Sequence, residues 1–385
     1  MHFFQLHIFL FDSDISIPVI VGVVFALLLM VPSVIICKYW NPKQKKKRNE
    51  KKKFEKRISI AVNDTMKANQ NLIDRTAENR DWSVSLERKL GEGNFGVVYK
   101  ATLNEGGASR KVAIKQIKNL GNKGQIESLK TEITMMTDLK EKPHPNLAAL
   151  ICHVELDEEA TCIVMEYCNL GQLKEYLMKN EKKLLNEATV GQINSKSLCI
   201  WAGEVSKGMA YLEERHIMHG DLAARNVLLS KPSHLHPIAK ITDFGMAKSF
   251  YLYPDYQEVS GNVPWKWMAY EVIALDLRLC SLKSDVWSFG VLLWELFSIG
   301  KQPYPEYFQA DKKFLNALKD GHFLTCPDEL KDIKTWSPTL LFGEVSKLCF
   351  QLDKSLRGSF SEITDIINNY LKICEIIHTN NKIIA

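Results

Sequence analysis

The chain has 385 residues, of which 46% are hydrophobic and 25% charged, and its net charge of +5 is concentrated in residues 38–57. Basic character confined to one short segment argues against a nucleic-acid-binding domain, so we expect no nucleic-acid partner. The nine cysteines form no Cys-x-x-Cys pair, which favours buried, reduced thiols over a disulfide framework or a zinc site.

An uncharged apolar segment occupies residues 15–37, and its 23 residues are enough to cross a bilayer as a helix. Asp12 and Asp14 precede it and a basic run follows it. The positive-inside rule therefore places residues 1–14 outside the cell and residue 38 onward in the cytoplasm. A cleaved signal peptide would need a basic N-terminal region and a shorter apolar core. The sequence predicts a single-pass protein of the plasma membrane with a short extracellular segment.

Residues 38–82 form a basic juxtamembrane segment, in which residues 38–57 carry eleven Lys and Arg against two Glu. We expect residues 43–57 to lie along the anionic inner leaflet, where each cation contributes about 1 kcal/mol. A solvated flank that stops translocation explains the same composition. Residues 43–80 are polar and poor in periodic apolar positions, so we expect a linker, with order beginning near Trp82.

A glycine-rich turn is predicted between two strands. The segment comprises Leu90, Gly91, Glu92, Gly93, Asn94, Phe95, Gly96, Val97 and Val98. Glycines let the backbone fold over phosphate groups and point its amides at them. The spacing Gly-x-Gly-x-x-Gly is equally known from dinucleotide-binding turns, but those open a helix. Here Val97 and Val98 continue as a strand, which favours a strand-turn-strand loop over phosphates.

Two more strands are predicted nearby. Residues 112–115 alternate as a strand does and end in Lys115, whose ammonium is a suitable charge for phosphate oxygens. A single lysine is more often a solvated surface group, and only its place after the glycine turn reverses that preference. Residues 162–165 indicate a buried strand that ends at Glu166.

The most informative segment is residues 219–226. It reads His219, Gly220, Asp221, Leu222, Ala223, Ala224, Arg225 and Asn226. Asp221 can accept a proton from a hydroxyl group, and Asn226 can hold a metal ion. A second carboxylate, Asp243, opens the triplet Asp-Phe-Gly. The joint spacing of these residues indicates a phosphoryl-transfer site rather than unrelated surface residues.

These motifs together resemble those of protein kinases, and Asp-Leu-Ala-Ala-Arg-Asn resembles the receptor tyrosine kinases in particular. The resemblance covers residues 83–376 and implies an α+β, bilobal protein kinase fold. A small β-rich N-lobe is expected to about residue 167 and a larger helical C-lobe from about residue 168, preceded by the one transmembrane helix. Residues 377–385 are expected to be a short tail.

The resemblance assigns catalytic roles. Asp221 is expected to orient and deprotonate the substrate hydroxyl, with Arg225 helping to position that hydroxyl. Lys115 is expected to place the phosphates of ATP, paired with Glu132 on a predicted helix. Glu127 competes with Glu132 for this pairing, although its surroundings match the family less well.

The resemblance also implies ATP and Mg²⁺ as cofactors, with Mn²⁺ an acceptable replacement. Asn226 and Asp243 are the expected metal ligands. The residues expected to contact ATP are Leu90, Gly91, Glu92, Gly93, Asn94, Phe95, Gly96, Val97, Val98, Lys115, Met165, Glu166 and Cys168.

Substrate choice is indicated at two places. Residues 223–225 read Ala-Ala-Arg as in tyrosine kinases, whereas serine/threonine kinases usually carry lysine two residues after the aspartate. Residues 264–269 read Pro-Trp-Lys-Trp-Met-Ala, which resembles the tyrosine-kinase platform for a long phenolic side chain. We therefore expect tyrosine in proteins to be the substrate.

Other positions extend or depart from the family pattern. Glu271 and Arg357 are expected to form the buried ion pair found in the family. Gly220 stands where an arginine usually pairs with a phosphate on the activation loop. Tyr270 replaces the proline of Ala-Pro-Glu, and Gly358 replaces the proline that usually follows the arginine. We expect the last two changes to affect rigidity rather than phosphate chemistry.

The expected activation loop contains Tyr251, Tyr253 and Tyr256, spaced like autophosphorylation sites. Exposed aromatic residues in a surface loop explain the same pattern. Because Gly220 removes the usual arginine, we expect activity to depend only modestly on these tyrosines.

The sequence as a whole is therefore interpreted as a receptor-like, membrane-anchored tyrosine kinase that acts in membrane-proximal signalling. It is expected to phosphorylate protein substrates and to form a homodimer or a heterodimer with another receptor. The alternative is a receptor-like pseudokinase scaffold that acts through a partner. A soluble kinase whose N-terminus is not inserted is a third interpretation.

Overall fold

The computed structural model describes most of the chain beyond residue 41. The described residues are 42–73, 82–93, 96–105, 107–116, 133–157, 160–184, 195–232, 236–243, 263–327 and 336–384. The chain divides into two units, residues 1–57 and 58–385. The predicted span at 15–37 lies outside the described residues, and within the described ranges no helix is both long and apolar enough to cross a membrane.

The first described element is a helix in the segment predicted to be a linker. Helix α1 runs from Pro42 to Ile73, so regular structure begins well before Trp82 and that prediction was wrong. The segment is rich in Lys and also contains Arg, Glu, Ala and Met, residue types that have high helix propensity whatever their hydrophobic period. Pro42 suits the first turn, where its missing N–H would have no helical partner anyway.

Eight strands follow among the described residues of the second unit. They are β1 (Trp82–Gly93), β2 (Gly96–Glu105), β3 (Ala108–Gln116), β4 (Leu150–Asp157), β5 (Ala160–Glu166), β6 (Gly171–Gln172), β7 (Val227–Ser230) and β8 (Ile238–Ile241). The first five form an antiparallel sheet in the order β1-β2-β3-β5-β4, and the last three form a smaller sheet in the order β6-β7-β8.

The larger sheet positions the glycine turn and the lysine. The turn joins β1 to β2, with Gly93 opposite Gly96. Lys115 lies on the central strand β3, opposite Val98 on one side and Ile163 on the other. The strand that carries Lys115 is therefore fixed from both sides, whereas β1 is an edge strand of the sheet.

The other regular elements among the described residues are helices. The helices are α2 (Leu173–Leu184), α3 (Ser195–Glu214), α4 (Tyr270–Ala274), α5 (Leu282–Phe297), α6 (Lys312–Lys319), α7 (Pro338–Cys349) and α8 (Phe360–Ile384). A further helical stretch covers residues 133–141, between β3 and β4. Helix α8 includes most of the expected tail at 377–385.

Helix α5 lies at the centre of the helical core. Its N-terminus is closed by a capping box between Ser281 and Ser284, and most of its side chains are buried. A Cβ atom at Gly290 would lie 2.7 Å from the Cβ of Cys349, so only glycine lets α5 approach α7 this closely. The predicted α+β architecture, with a β-rich N-lobe and a larger helical C-lobe, is confirmed.

The expected ion pair between Glu271 and Arg357 is present and buried. The two terminal nitrogens of the Arg357 guanidinium donate to the two carboxylate oxygens of Glu271 at 2.7 and 2.6 Å. Arg357 also donates to the carbonyls of Gln351 and Lys283, at 2.8 and 3.0 Å. The contacts with Glu271 and Lys283 join elements far apart in the chain, so the pair ties α4 to the loop that precedes α8.

Removing one partner of this pair should destabilise the domain strongly. Replacing Arg357 with alanine leaves the Glu271 carboxylate buried without its cation, at a cost of about 3–5 kcal/mol of unfolding free energy. Urea denaturation of the full chain measures this change. The control is Lys347→Ala, which breaks the exposed pair with Glu344 and should cost less than about 1 kcal/mol. Equal losses in the two variants would contradict the prediction.

Candidate active site

The backbone of the predicted catalytic loop, residues 219–226, is held from α5. Asp285 accepts hydrogen bonds from the amides of His219 and Gly220, at 2.7 and 2.9 Å. Burial raises the pKa of Asp285 to about 7. Gly220 has φ +77°, a left-handed conformation that glycine adopts without the penalty of a side chain. The departure at position 220 therefore fits the local backbone geometry.

His219 is buried and joins the loop to the end of β8. Its Nδ1 accepts from the amide of Asp221 at 3.1 Å, so its Nε2 carries the proton and donates to the Thr242 carbonyl at 3.1 Å. Burial lowers the pKa of His219, which keeps the ring neutral. The imidazole is thus a fixed spacer between the residues that flank the site.

Asp221 is held through both carboxylate oxygens. Arg225 donates to Oδ1, and the amide nitrogen of Asn226 donates to Oδ2 at 2.7 Å. Burial raises the pKa of Asp221, and the Arg225 guanidinium opposes that shift. A carboxylate fixed in this way is poised to accept a hydrogen bond from a substrate hydroxyl.

The predicted metal ligands lie at the same end of the β7–β8 ribbon. The amide of Thr242 donates to the carbonyl of Asn226 at 2.9 Å, and Asp243 is the next residue. The side-chain nitrogen of Asn226 is committed to Asp221, so its side-chain oxygen is the atom suited to a cation. The structure thus places the two predicted ligands at one end of the ribbon, and their role in metal binding remains a prediction.

Lys115 reaches Asp243 from the other lobe. Its Nζ lies 2.9 Å from Oδ1 of Asp243, and the lysine side chain is almost completely buried. The ammonium beside it holds the pKa of Asp243 below its ordinary value. Asp243 is therefore ionised near neutral pH, as a metal ligand must be.

The donor set fits Mg²⁺ held jointly with a nucleotide. One carboxylate and one amide oxygen are hard oxygen ligands, and Mg²⁺ commonly takes one or two such protein ligands together with phosphates and waters. Among the described residues no group of three His, Cys, Asp or Glu side chains is arranged to hold a metal alone. Phosphate oxygens would thus supply part of the coordination.

The glycine turn leaves space above β1. A Cβ atom at Gly91 would meet no protein atom within 4 Å, so packing does not require glycine there, whereas close approach of a ligand would. The Leu90 side chain is exposed, and Glu92 forms an ion pair with Lys89. Asn94 and Phe95 lie outside the described residues.

The expected hinge follows β5. Met165 is buried at the end of this strand, and Cys168 is buried three residues later, which raises the pKa of its thiol to about 12. The Glu166 carboxylate accepts from the Ala149 amide at 2.8 Å and faces Lys240 Nζ at 2.9 Å. With its side chain engaged in this way, Glu166 can serve a nucleotide only through its backbone.

The expected substrate platform contacts the catalytic loop directly. The guanidinium of Arg225 lies over the ring of Trp267, 4.5 Å from its centre. The indole N–H of Trp267 donates to Oε2 of Glu295 at 2.8 Å, and the same oxygen accepts from the Ala224 amide at 2.8 Å. Loop and platform therefore share one buried carboxylate.

Sequence reasoning did not assign the roles of Asp285 and Glu295. Both are acids within the apolar helix α5, and both are buried. Because a buried acid requires polar partners, an acid inside an apolar helix indicates from the sequence that its side chain bonds another segment. Their partners are backbone and indole N–H groups far away in the chain, which no motif spacing reveals.

Several predicted residues lie outside the described residues. They are Glu127, Glu132, Phe244, Gly245, Tyr251, Tyr253 and Tyr256. Their assigned roles remain predictions.

The site geometry agrees with comparisons to known proteins. Residues 84–367 match the family described as protein tyrosine and serine/threonine kinase, which is well over half of the chain. The chain belongs to this family. The expectation drawn from residues 83–376 is thereby confirmed at the level of the family.

Similar proteins are named tyrosine kinases. The chain is 37% identical over 293 residues to the proto-oncogene tyrosine-protein kinase ROS of Rattus norvegicus, covering 73% of this chain and 12% of that protein. It is 32% identical over 320 residues to the tyrosine-protein kinase transmembrane receptor Ror of Drosophila melanogaster, covering 80% and 42%. It is 37% identical over 254 residues to the tyrosine-protein kinase csk-1 of Caenorhabditis elegans, covering 64% and 42%. The chain thus spans less than half the length of each of these relatives.

The carboxylate of Asp285 should be needed for the fold of the kinase domain. Asn at this position keeps the shape but offers one carbonyl oxygen and an NH₂ group to two N–H donors, so one donor is left without an acceptor. We expect Asp285→Asn to lower the unfolding free energy by about 1–3 kcal/mol in urea denaturation of the full chain. Asp365→Asn, at an exposed position of α8, should change it by less than about 0.5 kcal/mol. Matching denaturation curves for the two variants would show that Asp285 does not hold the loop.

Proposed function

We propose that this chain is a receptor-like, membrane-anchored tyrosine kinase that transfers the γ-phosphoryl group of ATP to tyrosine in protein substrates. The observation that carries the proposal is the fixed position of Asp221 between Arg225 and Asn226. His219 links it to the end of β8, where Asp243 pairs with Lys115. The named relatives support it, because ROS, Ror and csk-1 are all named tyrosine kinases.

The chemistry follows from the side chains of the site. Asp221 accepts a hydrogen bond from the tyrosine hydroxyl, aligns its oxygen with the γ-phosphorus and takes its proton as the new bond forms. Lys115 places phosphate oxygens, and the amides of the glycine turn cover them. Asn226 and Asp243 would hold Mg²⁺, which would supply charge neutralisation to the phosphates. The phosphoryl group passes to the tyrosine oxygen, and ADP leaves with the former bridging oxygen.

Selectivity for tyrosine is assigned to Arg225 and Trp267. The Arg225 guanidinium lies over the Trp267 indole and donates to Asp221, which supports a surface beside Asp221 for the ring of a tyrosine substrate. Glu295 of α5 accepts from the Trp267 indole and from the backbone amide of Ala224, the residue before Arg225. The platform is therefore rigid before a substrate binds.

Gly220 changes how this kinase is regulated. The backbone amides at 219 and 220 hold the loop, so the loop needs no side chain at position 220. A phosphate on Tyr251, Tyr253 or Tyr256 would lack the arginine that usually receives it. We propose that these tyrosines are autophosphorylation sites with a modest effect on turnover.

The membrane-anchored part of the proposal rests on the sequence. Residues 15–37 are assigned as the span, with residues 1–14 outside and the kinase domain cytoplasmic. The basic run 43–57 is assigned to the anionic inner leaflet of the plasma membrane. A homodimer or a heterodimer with another receptor would bring a second chain within reach as a substrate.

The second candidate function is a pseudokinase scaffold that acts through a partner. Gly220 and Tyr270 favour it, because both depart from the family pattern. The contacts of Asp221 and Lys115 disfavour it, since a scaffold has no need to fix a base and a phosphate-binding lysine.

Catalysis is tested with the full chain purified in detergent, with Mg-ATP and a poly(Glu,Tyr) substrate. We expect phosphorylation of tyrosine that stops when EDTA removes the metal. Asp221→Asn should lower kcat about 100-fold or more, because the amide cannot take the proton. If the folded wild-type chain bound Mg-ATP without any turnover, the tyrosine-kinase proposal would be wrong and the pseudokinase scaffold would be favoured.

Membrane insertion is tested separately by carbonate extraction of cells that express the full chain. An integral protein stays in the membrane pellet at high pH, and we expect all of the chain there. The control combines Val24→Asp with Leu28→Asp, which should release the chain, because two carboxylates near the bilayer centre cost several kcal/mol. Complete release of the wild-type chain would exclude the proposed span.

A further inference from the structure

The outer edge of β1 is bonded by side chains of helix α1. Successive N–H groups of a strand point to opposite sides, so those of Trp82 and Val84 share one side. Because β1 lies at the end of the sheet, that side has no neighbouring strand within the described sheet. The amide of Trp82 donates to Oδ1 of Asn63, and that of Val84 donates to Oγ of Ser59, each at 2.9 Å.

Ser59 serves as both acceptor and donor. Its hydroxyl accepts from the Val84 amide and donates to the carbonyl of the same residue, at 2.9 Å in each case. A single hydroxyl therefore replaces both hydrogen bonds that a neighbouring strand would make to Val84. Leaving an edge open exposes the backbone to pairing with other chains, which natural sheets avoid.

The spacing of the two helix side chains matches the spacing of the two strand amides that they bond. Ser59 and Asn63 are four residues apart on α1, a rise of about 6 Å along the helix. Trp82 and Val84 are two residues apart on β1, about 6.7 Å along the strand. The helix and the strand run in opposite directions here, because Asn63 bonds Trp82 and the earlier helix residue Ser59 bonds the later strand residue Val84. One helix face thus matches two successive outward amides.

The same part of α1 is packed as well as bonded. Ile58 and Val62, again four residues apart, are 0% exposed. Both Trp82 and Val84 are buried. In contrast, Asp64 is exposed. Helix α1 therefore has a buried apolar stripe next to a stripe of side chains that bond β1. This pattern is typical of a helix packed against the protein and not of a solvated segment.

The strand so held leads into the nucleotide site. β1 continues from Trp82 to Gly93, and its last residues are the start of the glycine turn. We propose that residues 58–66 form a clamp on the edge of β1, in which Ser59 and Asn63 are positioning residues that set the glycine turn over the nucleotide. This inference rests on the proposed kinase function for its effect on ATP, but the clamp itself does not.

The clamp is sensitive to charge at position 59. A carboxylate or a phosphate there can accept from the Val84 amide but has no proton to give the Val84 carbonyl, and the two oxygens would repel each other. Phosphorylation of Ser59 would transfer the γ-phosphoryl group of ATP to Oγ, forming an Oγ–P bond and releasing ADP with the hydroxyl proton. The added phosphate would thereby open the clamp.

The test compares four variants of the full chain in detergent. Ser59→Ala combined with Asn63→Ala removes both contacts, and Ser59→Asp adds the charge. Asn63→Asp is the conservative variant, because its carboxylate can still accept from the Trp82 amide. Asp64→Ala is the matched control, one residue away on an exposed position.

Hydrogen exchange is the first measurement. In the double variant, the Val84 amide should exchange about tenfold faster, the effect of losing one hydrogen bond. In Ser59→Asp it should also exchange faster, because repulsion between the carboxylate and the Val84 carbonyl opens the clamp. The Trp82 amide should also speed up in the double variant. Ser83 and Ser85, which face β2, should keep their rates. Unchanged exchange at Val84 would overturn the clamp.

The second measurement separates positioning from mere stability. We expect KM for ATP, and Kd for a fluorescent ADP analogue, to rise about threefold to tenfold in the double variant and in Ser59→Asp, with kcat within about twofold. Asn63→Asp and Asp64→Ala should behave as the wild type. Faster exchange with unchanged nucleotide affinity would overturn the positioning role. If the wild type had no turnover, the kinase proposal would fail, but exchange and ADP affinity would still decide the clamp.

Discussion

The active site depends on a carboxylate buried in helix α5. Asp285 accepts the backbone N–H groups of His219 and Gly220, and from this point the loop carries Asp221, Arg225 and Asn226 into place. Burying an acid in an apolar helix is costly, and the cost is offset only when each oxygen has a donor. The helix therefore stabilises one loop conformation, because any other would leave the acid without partners.

The departure at position 220 follows from this arrangement. The loop is held by backbone amides, so the residue at 220 contributes its φ of +77° and not a side chain. Losing the usual arginine then removes a contact to a modified activation loop and leaves the position of Asp221 unchanged. In the proposed kinase, the position of Asp221 is therefore independent of any side chain at position 220.

Sequence reasoning succeeded where chemistry is local or spacing is fixed. Asp221 and Asn226 lie five residues apart in one loop, and the pair Glu271–Arg357 follows from the family pattern. It failed for residues 42–73, because a polar segment without an apolar period was interpreted as a linker, although its residues favour a helix. The roles of Asp285 and Glu295 needed the fold, since their partners come from other elements.

One physical device recurs at both ends of the site. Helix side chains bond backbone groups of a neighbouring segment: Asp285 bonds the catalytic loop, and Ser59 bonds the edge of β1. Such contacts depend on backbone position and not on the partner's side chain, so they tolerate changes in the segments they hold. They also break when the bonding atom changes charge. A glycine turn that is reached through an edge strand is therefore open to control from the helix that bonds that strand.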